Sequence, residues 1–421
     1  MKYNKLTALC LTVFILLTAC AAPGEEPVPN LSSEEAAVIK ETSDYEDSIS
    51  SDPMQKRLEQ RCKEIVSLYY DLYQQADKSE PQSRWDTPVL AQSRWDTPVL
   101  AQSSIDAIED LLTDAGLDMV DTSEKYPDYL ETPENFYGFW DAAQHQEAAE
   151  QEVITVRSSG TLSYQMFSCR DGVTQVYSML YPPDGNSELY YEKHEVLDWT
   201  LTDRGNFYYR IYPAGDKHYA DYTMLRLTPP DPELWDLNRT YIPTGSYTAS
   251  NLFLTDWTEN DFGALSFNDL WEYLYLNSRG EPFRPDGYAY VPERSCCKIP
   301  GALFEKIVLS YFDIDPLLLR ELAQYDAAED YYPWRPVESN DYVFLDFYSI
   351  DPEVTAYQVN PDGTITLTVQ VLSTDLKTDC LFAHEVTVRP LENDRFQYVE
   401  NKVTYQTEYG LPYAAPRLTW K

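Results

Sequence analysis

The chain has 421 residues, 43% hydrophobic and 14% aromatic, enough apolar side chain to bury a sizeable core and to exclude general disorder. Its formal charge is −38 at pH 7, a field that repels nucleic acid and anionic headgroups, and no basic cluster in the sequence offers an exception. Nucleic acid is therefore excluded as a partner, and the acidity itself speaks to solubility rather than to a site.

The first elements are Lys2 and Lys5, an apolar run over residues 6–17, and Leu17-Thr18-Ala19-Cys20. Basic, apolar and small residues in that order are the layout of a secretory leader. The run is shorter than the roughly 20 apolar residues a membrane-spanning helix needs. A cysteine directly after Leu-Thr-Ala resembles a bacterial lipoprotein signal. The resemblance implies that residues 1–19 are a signal peptide and that Cys20 is lipidated and becomes the first mature residue. Two acyl chains anchor stably where one is marginal, so the expected location is the extracytoplasmic face of the cell membrane. Residues 20–52 are rich in Pro, Glu, Ser and Asp and read as an acidic, flexible tether.

A first domain is expected over residues 53–228. Asp52-Pro53 suits a helix start. Met54, Leu58, Cys62, Ile65, Val66, Tyr69 and Tyr73 then recur at helical spacing to about residue 76. Residues 82–91 read QSRWDTPVLA, and 92–101 repeat them, as a tandem duplication in a surface loop would. Exposed loops tolerate such an insertion without needing a role, the favoured reading; the alternative is that its Trp85-Asp86 and Trp95-Asp96 pairs contact a partner. Ser104 is placed as the cap of a short helix with Ile105, Ile108, Leu111 and Leu112 inward and Gly116 past its end. Thr132-Pro133-Glu134 opens another helix, expected to reach about residue 150. Alternating runs then predict strands over 153–157, 162–169, 173–181, 188–196, 199–202, 207–212 and 222–227. The short turns between them imply an antiparallel sheet with one face on the helices.

Residues 229–298 carry many prolines and one clear helix, opened by Ser266, and read as a connecting region. Residues 299–421 read as a smaller helix-plus-sheet domain. It has helices over 302–311 and 316–325, strands near 342–348, 353–359, 364–372, 381–389 and 396–404, and a hairpin turn at Asn360-Pro361-Asp362-Gly363. The stretches IPGALFEKIVLSYFDIDPLLLR, NPDGTITLTV and HEVTVRPLENDRFQYVENKV, best over residues 300–403, resemble a family of uncharacterised lipoproteins from Gram-positive, clostridia-like bacteria. That resemblance implies localisation and no activity. The expected class is α+β, with N-terminal helices packed on an antiparallel meander. A helix-then-sheet order suits a cystatin-like C-terminal domain, a likeness of fold that carries no function.

The chemistry is sparse. Cys10 leaves with the leader and Cys20 is lipidated. Cys62, Cys169, Cys296, Cys297 and Cys380 remain, an odd set whose pairing spacing cannot assign. His194-Glu195 and His384-Glu385 lack the second histidine of a zinc helix. Both lie in expected strands, where alternation turns His and Glu to opposite faces, so no metal site is expected. Ser295-Cys296-Cys297-Lys298 matches a Ser-x-x-Lys spacing, but Pro300 follows at once and the companion motifs are missing. Asp313-Ile314-Asp315 reads as the end of one helix and the start of the next. With 70 acidic residues, no carboxylate pair stands out for glycoside hydrolysis. Tyr190-Tyr191, Tyr208-Tyr209, Tyr331-Tyr332 and Trp334 are candidate stacking residues, but with half of each pair core by alternation, ordinary sheet packing is the favoured reading. No catalytic residue, metal or cofactor is assigned. The leading expectation is a non-catalytic surface protein holding a glycan, wall or protein partner, in a groove between domains or on an aromatic sheet face. A wall- or glycan-directed hydrolase and an envelope or sporulation assembly factor are the alternatives.

Overall fold

Leu58, Cys62, Ile65, Val66 and Tyr69 form the buried stripe of a 23-residue helix, α1 (Pro53–Gln75), in the computed structural model of the chain. The structure describes residues 52–79, 99–123, 125–185, 190–211, 221–242, 245, 247, 250–336, 349–411 and 416–418. The expected signal peptide with Cys20, nearly all of the tether, the tryptophans of the duplication and the strand near 342–348 lie outside those residues. Residues 54–421 make one compact unit.

Helix α2 (Gln102–Asp114) starts before the expected Ser104 cap. Its N-cap is Ala101, which has no side chain to cap with, and the backbone sets the start instead: Ala101 N–H donates to Asp77 C=O at 3.1 Å. Gly116, with φ +79°, ends the helical run as expected, but Leu111 is 37% exposed and Glu109 takes a buried place. Helix α3 (Glu134–Gln144) stops short of residue 150, because Gln146 adopts a left-handed φ of +61° and the chain turns into the next strand.

The expected meander forms but divides into two sheets. Strands β1 (Ala149–Val156), β2 (Leu162–Arg170), β3 (Val173–Tyr181) and β4 (Tyr190–Glu195) pair in sequence order. Strands β5 (Asp198–Leu201), β6 (Asn206–Ile211) and β7 (Asp221–Arg226) make a second, three-stranded sheet. The switch takes two residues: Val196 N–H donates to Thr174 C=O at 2.9 Å and Leu197 N–H to Arg210 C=O at 2.8 Å. The first sheet is covered on both faces rather than one. On one, Glu150 and Glu152 pair with Arg57 and Arg61 of α1. These surface ion pairs orient the helix and contribute only about 0.2–1 kcal/mol each. On the other, Phe136 and Phe139 of α3 pack with Val153, Phe167, Phe207 and Tyr209.

Helix α4 (Pro232–Tyr241) follows, with Pro232 at its first position and Asp231 accepting from Glu233 N–H (2.9 Å) and Leu234 N–H (3.0 Å). The rest of the chain builds a five-stranded antiparallel sheet. Its strands are β8 (Trp257–Thr258), β12 (Ile350–Val359), β13 (Ile365–Ser373), β14 (Thr378–Pro390) and β15 (Phe396–Gln406), in the order β8-β15-β14-β13-β12. A small sheet of β9 (Tyr290–Val291), β10 (Cys296–Pro300) and β11 (Tyr331–Trp334) stands beside it. Helices α5 (Phe267–Arg279), α6 (Gly301–Tyr311) and α7 (Pro316–Leu322) complete the layer. Tyr247, Phe253, Trp257 and Trp271, from the stretch read as a connecting region, share one core with Phe304, Val308, Val369, Val386 and Tyr398. Pro232 and Pro292 in this stretch stand at helix starts. Each such buried aromatic or branched side chain contributes about 1.5–3 kcal/mol. The hairpin turn forms as expected, with Gly363 at φ +85° and its N–H donating to Asn360 C=O at 3.0 Å.

Candidate functional site

The turn between β5 and β6 is tight. Gly205 has a φ of +80°, and a Cβ there would lie 2.1 Å from Thr228 Oγ1, so only glycine lets the two strands approach. Gly205 N–H donates to Thr202 C=O at 3.0 Å, and Leu227 N–H donates to Gly205 C=O at 2.8 Å. This closeness sets Arg204, in the turn, near Arg226 at the end of β7. Glu353 comes from β12, more than a hundred residues later. Arg204 Nη2 and Arg226 Nη2 donate to its two carboxylate oxygens. Arg204 Nη1 also donates to Gln370 Oε1 (3.3 Å) and Asp379 C=O (3.2 Å). Asn206 Nδ2 and the Tyr208 hydroxyl both donate to Asp379 Oδ1, at 2.8 and 3.0 Å. A polar layer thus joins the second sheet of the meander to the C-terminal sheet.

Two cations share one carboxylate at the centre of this layer. The side chains of Arg226 and Glu353 are 7% and 9% exposed, whereas Arg204 is 31% exposed and reaches solvent. Arg226 Nε and Asn206 Oδ1 have no hydrogen-bond partner among the described residues. A buried polar atom left so costs about 1–3 kcal/mol and calls for an explanation. Asp351, two residues before Glu353 on the same strand, shares its face. Burial pushes the Asp351 carboxyl up to about 6, Glu353 adds to the rise, and Arg226 opposes it.

A cavity of about 340 Å³ opens on this centre. Arg204, Arg226 and Glu353 line it together with Thr228, Pro229, Pro230, Leu234 and Trp235. Helix α4 is fixed there by Asn238, whose Oδ1 accepts from Val354 N–H of β12 at 3.0 Å. A second cavity, about 420 Å³, lies at Arg61, Asp118, Glu134, Glu150 and Glu152. Its carboxylates are engaged: Glu150 by Arg57 and Arg170, Glu152 by Arg61, and Asp118 by Thr132, Asn135 and Gln151. Hydrogen bonds from Arg57 hold Glu150 below its usual range. Glu109 is pushed up to about 7 by burial, yet it lines neither cavity and bonds Thr122.

The candidates read from sequence are scattered. His194 is buried against Glu192, with Nε2 to Oε2 at 3.1 Å, and Glu195 points out. His384 is sealed in the core. Its Nδ1 donates to Asn401 Oδ1 (2.8 Å), its Nε2 accepts from the Tyr247 hydroxyl (2.6 Å), and burial lowers it to about 3. The two His-Glu dipeptides therefore alternate as strands do. Ser295 sits at φ +48° before β10, so Ser295 and Lys298 share no helix, and Lys298 pairs with Glu329 at 2.5 Å. Asp315 caps α7 through Leu317 N–H and Leu318 N–H. Cys62, Cys169, Cys296 and Cys297 are buried free thiols, and Cys380 is a half-buried one. The aromatic candidates are corrected: only Tyr190, at 46%, is exposed, while Tyr191, Tyr208, Tyr209, Tyr331, Tyr332 and Trp334 are core. Sheets packed on both faces bury both members of a pair.

Arg204, Arg226 and Glu353 were not singled out by sequence reasoning. The available signal was a charged residue interrupting an apolar strand, Arg226 after Met224-Leu225 and Glu353 before Val354. Nothing local told either residue that the other was its partner.

No curated protein and no solved structure matches the chain. A family model does, described as a family of unknown function (DUF6070), over residues 55–417. That span reaches well before the 300–403 stretch on which the sequence resemblance rested, and takes in the helices, both parts of the meander and the arginine-lined cavity. The chain belongs to the DUF6070 family of unknown function.

Proposed function

We propose that the protein is a lipid-anchored, extracytoplasmic binding module. Cys20 carries the lipid, residues 20–52 act as a spacer, and the folded unit holds a ligand in the cavity beside Arg204, Arg226 and Glu353. The observation that carries the binding reading is Arg226 Nε, without a partner among the described residues, beside a cavity that Pro229, Pro230, Leu234 and Trp235 also line. Ligand sites commonly combine such an apolar lining with a few fixed polar groups. The anchor reading rests on the leader layout that ends in Leu17-Thr18-Ala19-Cys20. The ion-paired Glu353, Glu150 and Glu152 weigh against the hydrolase alternative, because a glycosidase needs one acid held protonated near neutrality at the cleft.

Two measurements test this. Cells fed labelled palmitate incorporate label into the protein, and Cys20→Ser abolishes both the label and membrane retention. Label that persists in the variant overturns the anchor. A thermal-shift screen of the purified protein finds a saturable ligand, worth about 2.7 kcal/mol at a hundred times its dissociation constant. Turnover of a wall polymer, lost on changing one carboxylate, overturns the non-catalytic reading.

A further inference from the structure

Resting on the binding reading above, we infer that the cavity takes a zwitterion: an α-amino acid or dipeptide with an apolar side chain. The cavity offers both signs of charge and an apolar wall. Arg204 and Arg226 supply planar guanidinium donors suited to a carboxylate. Glu353 engages Nη2 of each, while Arg226 Nε has no partner among the described residues. Arg204 is partly open to solvent, so a ligand reaches this end without unfolding the wall. Asp203 and Asp231 line the same cavity. Asp231 uses Oδ1 to cap α4, which leaves Oδ2 for an ammonium group. Pro229, Pro230, Leu234 and Trp235 supply the apolar surface.

Charge decides between anion and zwitterion. A chain of formal charge −38 repels free anions, most of all dianionic phosphates, whereas a net-neutral zwitterion carries no such penalty. The zwitterion still presents a carboxylate to the arginines. Size decides against polymers, since about 340 Å³ lies at the small end of the roughly 300–1,000 Å³ usual for ligand pockets.

The test is titration calorimetry of the purified protein with L-leucine, L-phenylalanine and Leu-Leu. The controls are 3-phenylpropanoate, which keeps only the carboxylate, 2-phenylethylamine, which keeps only the ammonium, and inorganic phosphate. An amino acid or dipeptide binds, and each half-molecule binds at least about tenfold more weakly, as expected for losing a charge-assisted hydrogen bond. Arg204→Gln weakens binding by about tenfold or more while the circular dichroism and melting temperature stay near wild type. Trp235→Ala serves as a second variant, in the apolar part of the lining, and also weakens binding. Equal affinity for 3-phenylpropanoate, or tighter binding of phosphate, overturns the zwitterion. Saturable binding of a glycan or metal with none for amino acids or dipeptides also overturns it, and leaves the binding module standing. No binding by any class of compound overturns both.

Discussion

Arg226 and Arg417 are both buried arginines, 7% and 4% exposed, and they are satisfied in opposite ways. Arg417 fastens the end of the described chain to α5. Its backbone N–H and Nε donate to the two oxygens of Asp269, at 3.0 and 3.1 Å. Its Nη1 donates to Glu272 and to Arg335 C=O (2.8 Å), and its Nη2 to Asp269 C=O. Every side-chain nitrogen of Arg417 has an acceptor. Arg226 shares one carboxylate with Arg204, keeps an Nε unpaired among the described residues and borders a cavity. A saturated buried cation is a clasp. An unsaturated one at a cavity is a place where a further acceptor improves the molecule's own hydrogen bonding.

The largest expected effect lies at the clasp. Arg417→Ala strands the buried Asp269 and the half-buried Glu272, and costs about 3–5 kcal/mol in urea unfolding. A loss below about 1 kcal/mol would erase the distinction drawn here. Glu353→Gln at the open centre leaves two guanidiniums sharing a neutral amide. Because Arg204 reaches water, the expected loss is smaller, about 3 kcal/mol or less. Next comes the turn that positions Arg204. Gly205→Ala forces a Cβ into Thr228 at a left-handed φ and costs about 1–3 kcal/mol. Gly205→Ala combined with Thr228→Ala removes the clashing hydroxyl and retains the φ penalty, so a partial rescue separates crowding from backbone strain.

How much of this was legible in the sequence follows from the range of each interaction. The stripe of α1, the strands from β1 to β7 and the Asn360–Gly363 turn are local: spacing and turn residues encode them, and they lie near the positions read. The start of α2 was missed because a backbone bond from Ala101 to Asp77 decides it. The division of the meander depends on two hydrogen bonds, from Val196 and Leu197, that point to different sheets. Sheet packing, the favoured reading of the tyrosine pairs, holds for all but Tyr190; the expectation of an exposed half failed because alternation predicts which face a ring takes and not whether a second layer covers that face. The arginine centre was invisible for the same reason. Arg226 and Glu353 lie 127 residues apart, and each alone looks like a charged residue on a strand.

Asp351 sharpens the comparison through pH. Its folded carboxyl is raised from 3.8 to about 6, so the folded state holds a proton that the unfolded state releases. The stability tied to that proton is complete below pH 3.8 and is lost as pH rises through 6. Asp351→Asn is therefore close to neutral at pH 3.8 and stabilises above pH 6, by up to about 3 kcal/mol. Unfolding curves at pH 4 and pH 7.5 check this, and a variant that stabilises equally at both pH values removes Asp351 from the electrostatics of the open centre.

The smallest expected effect on stability carries the most weight for function. Arg204 is the exposed member of its triad, and Arg226 still holds Glu353 when it is gone. Arg204→Gln also relieves the crowding of two cations on one carboxylate, and its amide can still donate toward Glu353. Its cost to folding is expected below about 1 kcal/mol. In the Arg417 clasp the open member is the acid Glu272, at 26%, while the guanidinium is 1% exposed and bonded throughout. If Arg204→Gln instead destabilises as much as Arg417→Ala, then Arg204 is as structural as the clasp, and the two centres differ only in whether a cavity happens to adjoin them. If it leaves stability intact and abolishes ligand binding, the molecule has placed its binding cation where folding does not depend on it.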